Sequence, residues 1–186
     1  MFKLGHFRAV GGGEWVEHSH PPIFTHRKYS DGTVSIVATA PAGDALIFRR
    51  LVECLRPPYM LLYLLHMPRG EAEAGRYLSE PLERSQALQI IDRFAGFLGG
   101  DGRHDFWLRS TADNATVVWD RHNLIHAYGP LDRYTEVLTA LGFSAGEPEI
   151  PSPHVHHGRV EFDVDSRALL EAAQWHHSPL HPGDDD

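Results

Sequence analysis

Fourteen of the 186 residues are histidine, and two groups of them stand at ligand-like spacing: Glu17-His18-Ser19-His20 and His154-Val155-His156-His157. In extended chain alternate side chains point the same way, so His18 with His20, and His154 with His156, each present two imidazoles to one side. Imidazole nitrogen binds zinc and other divalent transition metals, and two such pairs would complete a four-coordinate shell. The competing reading is that both pairs lie in proline-flanked surface loops, beside Pro21-Pro22 and Pro151 to Pro153, where histidine is simply polar.

His154-Val155-His156-His157 resembles the alternating run of the histidine-triad hydrolases, in which apolar residues separate three histidines. Here the third alternating position is Gly158. His18-Ser19-His20 resembles the first metal motif of the cupins, but Pro21-Pro22 follows and no glutamate stands at the expected downstream position. Neither motif is complete, and neither family is assigned. No lysine of the phosphate-binding kind follows Gly11-Gly12-Gly13, which reads as flexible chain, and neither Gly-x-Ser-x-Gly nor His-Glu-x-x-His occurs. Cys54 falls beside an apolar helical stripe and reads as an inert, partly buried thiol.

The elements that position these residues follow from apolar spacing and turn chemistry. Residues 1–32 are rich in Gly, His and Pro and are expected to be largely irregular, with a short strand at 2–8. Thr33 to Thr39 alternates after the turn pair Asp31-Gly32 and predicts a strand. Asp44 caps a helix carrying Ile47, Phe48, Leu51, Val52 and Leu55 on one stripe, stopped by Pro57-Pro58. Tyr59 to Leu65 is uniformly apolar and predicts a central strand covered on both faces. Residues 67–79 read as a polar connection, and Pro81 opens a helix that Gly99-Gly100 ends. From Asp105 three antiparallel strands follow, then a helix bounded by Pro130 and Gly142. A long connection over 143–158 leads to a strand at 159–164, a short helix capped by Asp165, and a flexible tail at 176–186.

These elements predict a single domain over 1–186 of the α+β class: a mixed or antiparallel sheet including a three-stranded meander, with helices mainly on one face. If Phe106, Leu108, Val117 and Ile125 face the core, alternation sends Trp107, Arg109, His126 and Tyr128 to the other face. Trp, Tyr and Arg dominate binding hot spots, so those four are the expected binding residues.

Composition bounds the function. A net charge of −8 opposes the general attraction that nucleic-acid binding uses. No apolar run approaches the roughly 18 residues of a membrane span. One cysteine excludes an intrachain disulfide framework and fits a reducing, cytoplasmic setting. The leading expectation is therefore an acidic binding protein without chemistry or cofactor of its own. Its partner would be another protein, as for inhibitors or immunity proteins, or a second copy of the chain. The alternative is a metal-dependent hydrolase whose zinc-like ion is held by His18, His20, His154 and His156.

Overall fold

The computed structural model describes residues 2–9 and 13–184. Gly11 and Gly12 lie outside the described residues, as do the last two residues of the tail.

The described chain forms twelve strands and five α-helices. The strands are β1 (Leu4–Arg8), β2 (Glu14–Glu17), β3 (Ile23–Lys28), β4 (Val34–Thr39), β5 (Tyr59–Leu65), β6 (Gly75–Ser79), β7 (His104–Ser110), β8 (Ala115–Trp119), β9 (Leu124–Tyr128), β10 (Ser144–Ala145), β11 (His154–His156) and β12 (Trp175–Ser178). The helices are α1 (Ala45–Glu53), α2 (Arg84–Arg93), α3 (Ala95–Gly100), α4 (Leu131–Ala140) and α5 (Asp163–Glu171). Nine strands form one sheet in the order β10-β3-β4-β9-β8-β7-β5-β6-β12, and three form a small sheet, β11-β1-β2. Among the described residues only the β10–β3 pairing is parallel. The class is α+β, and the β7–β8–β9 meander lies inside the large sheet.

All five helices bury side chains in one core. Asp44 starts α1 by accepting a hydrogen bond from the Leu46 amide at 2.9 Å, which turns Ile47, Phe48, Leu51 and Val52 inward. Phe48 stacks on Trp119 of β8 with ring centroids 5.7 Å apart. Ala87, Ile90 and Ile91 of α2, Phe97 and Leu98 of α3, Tyr134 and Leu138 of α4, and Leu169 of α5 join the same cluster. The strands contribute Phe106, Leu108, Val117 and Ile125 to it. A Cβ on Gly99 would lie 1.9 Å from the Gly43 carbonyl oxygen, so the end of α3 packs directly on the turn before α1 only because both positions are glycine.

Four expectations need correction. Residues 1–32 are not largely irregular, since they contribute β1, β2 and β3; their pairing partners include β11, some 150 positions away, and local composition carries no such information. β5 is internal but stands seventh in the nine-strand order, because β6 and β12 add only two strands beyond it. The connection over 67–79 contains β6. The stretch 159–164 is a 3-10 turn, Val160–Phe162, running into α5. Asp163 and Asp165 occupy the first turn of α5, where carboxylates suit the positive end of the helix dipole. The tail also departs from expectation in part: β12 pairs with β6 from Trp175↔Ser79 to Ser178↔Arg76, and Asp184 forms an ion pair with Arg76.

The small sheet is fastened to the large one by a buried clasp. Arg103 is fully buried and donates twice to Asp101, at 2.8 and 2.9 Å, and also to Glu71, Asp163 and the Arg159 carbonyl. Asp101 Oδ2 accepts in addition from the Arg159 amide at 2.8 Å. The amide of Gly102 donates to His157 O, and that of His157 to Lys3 O, both at 2.8 Å. Together these bonds fix the chain that carries β11.

Candidate metal centre

β11 and the β8–β9 turn bring three histidines together. In β11, His154 and His156 alternate and therefore share one side. The turn supplies His122. Its form is set by Asp120, whose Oδ1 accepts from the amides of His122 and Leu124 at 2.8 Å each. Asn123 follows with φ of +60°, a left-handed conformation that asparagine tolerates. Its amide also bonds the Gly99 carbonyl and the Trp119 indole, tying the turn to the core.

One ring nitrogen from each of His122, His154 and His156 lies within 4.8 Å of the other two. Nδ1 of each ring faces an oxygen: His154 Nδ1 meets Pro151 O at 2.9 Å, His156 Nδ1 meets Arg121 O at 3.2 Å, and His122 Nδ1 faces Asp120 Oδ2 at 3.5 Å. Carbonyl and carboxylate oxygens only accept, so the proton of each neutral ring sits on Nδ1 and the Nε2 lone pair is left to bind. That is the usual state of a metal-bound histidine, whose other nitrogen donates to a carbonyl or carboxylate. Burial, reinforced by His122 and Arg121, lowers the His156 pKa to about 4, so its lone pair is available at neutral pH. Zinc–nitrogen bonds of about 2.0–2.1 Å in tetrahedral array place ligand nitrogens about 3.3 Å apart. Binding an ion would therefore draw the three nitrogens closer together.

His18 and His20 do not join this triad. They form an adjoining group with His6: His18 Nε2 is 3.3 Å from His20 Nδ1, and the His6 and His18 rings meet edge to face at 5.3 Å. His20 is buried, and its Nε2 donates to the His122 carbonyl at 2.8 Å, so it holds the backbone of a ligand-bearing turn. Burial lowers the His18 pKa to about 4, with His20 and His6 adding to the effect. Abundance alone does not mark a site. His104 is fully buried against Phe97 and Tyr63, and burial drives its pKa well below the ordinary value.

The missed member is His122. Its signal was an aspartate two positions earlier in a turn, Asp120-Arg121-His122-Asn123, which supplies both a turn-forming side chain and a carboxylate behind the imidazole. Although burial alone would raise the Asp120 pKa, hydrogen bonds from His122 and His126 hold that carboxyl far below the usual range.

Trp107, Arg109, His126 and Tyr128 stand on the face of the large sheet opposite Phe106, Leu108, Val117 and Ile125, the face free of helices among the described residues. Trp107, Val118, His126 and Val37 are cross-strand neighbours in a single row. Trp107, His126 and Tyr128 line a cavity of about 420 Å³. Arg109 stands outside it, bonded to Asn114 Oδ1 at 2.8 Å. No helix among the described residues is long and apolar enough to cross a membrane. Comparison with protein-family models, curated proteins and solved structures found no match.

Proposed function

We propose that this protein binds one divalent transition-metal ion, zinc by ligand type, through Nε2 of His122, His154 and His156. The observation that carries this reading is the convergence of three imidazoles whose Nδ1 atoms all face oxygen acceptors. Three neutral nitrogen ligands leave a fourth position for water, as in hydrolytic zinc centres rather than closed structural ones. The reaction class open to it is therefore metal-assisted hydrolysis. Binding would also clamp β11 to the β8–β9 turn, joining the two sheets. A reducing, cytoplasmic setting belongs to the same proposal, supported by the single, unpaired Cys54.

The recognition role expected of an acidic chain draws its support from the helix-free sheet face, where Trp107, His126 and Tyr128 are grouped. A protein partner or second copy of the chain remains a proposal for that face.

Calorimetric titration of chelator-stripped, untagged protein with zinc tests the metal reading. One equivalent should bind, and His122→Ala should abolish that binding while leaving the circular dichroism spectrum unchanged. Equal zinc uptake by His122→Ala would remove this residue from the site and the proposal with it.

A further inference from the structure

The cavity on the helix-free sheet face meets the metal centre at one residue, Asp120, and otherwise stands apart from it. Its volume, about 420 Å³, lies in the range of small-molecule sites. Its groups are directional. Among the described residues the buried Trp107 Nε1–H has no hydrogen-bond partner, which leaves a donor unsatisfied in a place where that is costly. His126 Nε2 faces Asp120 Oδ2 at 3.3 Å; the acceptor-only carboxylate fixes the proton on Nε2 and frees the Nδ1 lone pair. Tyr29 and Tyr128 stack with centroids 6.2 Å apart and planes 29° from parallel, and the Tyr128 hydroxyl donates to that of Tyr29 at 3.2 Å. Asp105, Asp120 and Asp184 also line the cavity, so an anion would meet a repulsive wall.

We propose that this cavity binds a planar nitrogen heterocycle of nucleobase size, uncharged or cationic. The flat ring stacks against the aromatic walls, an N–H of the ligand donates to His126 Nδ1, and a rotation of the Trp107 ring that uncovers its buried Nε1–H lets a ring nitrogen or carbonyl accept from it. The inference does not rest on the metal reading, because neither Trp107 nor His126 belongs to the histidine triad.

Saturation-transfer NMR and calorimetry on the full chain test it, using adenosine, cytidine and guanosine, each beside its 5′-monophosphate, with and without added zinc. At least one nucleoside should bind with Kd below about 1 mM. Trp107→Phe keeps an aromatic ring but removes the donor, and should weaken that binding about tenfold. His126→Gln provides a second variant should Trp107→Phe disturb the sheet, and should weaken it similarly. The monophosphate should bind at least about tenfold more weakly at low salt, and zinc should leave the nucleoside affinity unchanged. The proposal is overturned if no nucleoside binds below about 1 mM, if both variants bind as the parent does, or if the monophosphates bind equally well. Binding that requires zinc would place the ligand on the metal and overturn it as well.

Discussion

Replacing Arg103 with methionine removes the fully buried cation at the centre of a clasp built around buried carboxylates. The guanidinium and the Asp101 carboxylate are each fully buried, and Glu71 nearly so. Removing one partner of a buried pair costs about 3–5 kcal/mol, because the remaining charge is left uncompensated. Asp101 would keep its bonds from the amides of Arg103 and Arg159, and Glu71 its bond from Ser166. The loss should therefore fall near the lower end, about 3 kcal/mol, by urea denaturation near pH 7. The pH dependence gives a sharper signature. In the parent, burial pushes the Glu71 carboxyl up, but the Arg103 hydrogen bond and neighbouring donors hold it below its ordinary 4.5. Its contribution is present above that value and fades as pH falls. Without Arg103 burial dominates and raises the carboxyl pKa, so the variant loses stability as pH rises. The gap between the two proteins should widen from about pH 4 to about pH 7. Adding Glu71→Gln to Arg103→Met should recover about 1 kcal/mol or more. A loss below about 1 kcal/mol that is independent of pH would refute the reasoning.

Lys3 is fully buried, and burial lowers its pKa from 10.5 to about 8 against the pull of Asp105, Asp120 and Asp101. The unfolded chain then binds more protons than the fold between those values, so stability should rise by up to about 3 kcal/mol as pH increases through the window; Lys3→Met should lack that rise in denaturation midpoints. Asp120→Asn should weaken zinc affinity about 10–100-fold by calorimetry, since it removes the carboxylate behind His122. Deleting residues 176–186 should lower the melting temperature by several degrees, because it strips most of β12 from β6 and leaves Arg76 without Asp184; an unchanged melting curve would mean that this pairing adds nothing to stability.

Elements were legible where the signal was local. The Asp44 cap and the stripe after it define α1, the apolar run at 59–65 defines β5, and the turn residues of the meander define β7 to β9. Alternation alone also placed Trp107 and His126 opposite Phe106 and Ile125, since a strand's side-chain period holds in any fold. What escaped was what depends on distant pairing. β1, β2 and β11 are short and mostly polar, and β1 and β11 exist because Leu4 meets His156 and His6 meets His154 across the sequence. Strand β6, Gly-Arg-Tyr-Leu-Ser, has too few apolar residues to announce itself. The metal centre divided along the same line. The spacing of His154 and His156 was visible, whereas their third companion comes from a turn 32 positions earlier, and His18 and His20 went instead to the neighbouring group.

Anomalous diffraction at the zinc absorption edge, from crystals grown with one equivalent of zinc, tests the central claim most directly. The account predicts a single strong peak about 2.0–2.1 Å from Nε2 of His122, His154 and His156, with one further ligand position occupied by solvent. A peak between His18 and His20, or none at the His122–His154–His156 triad, would contradict it.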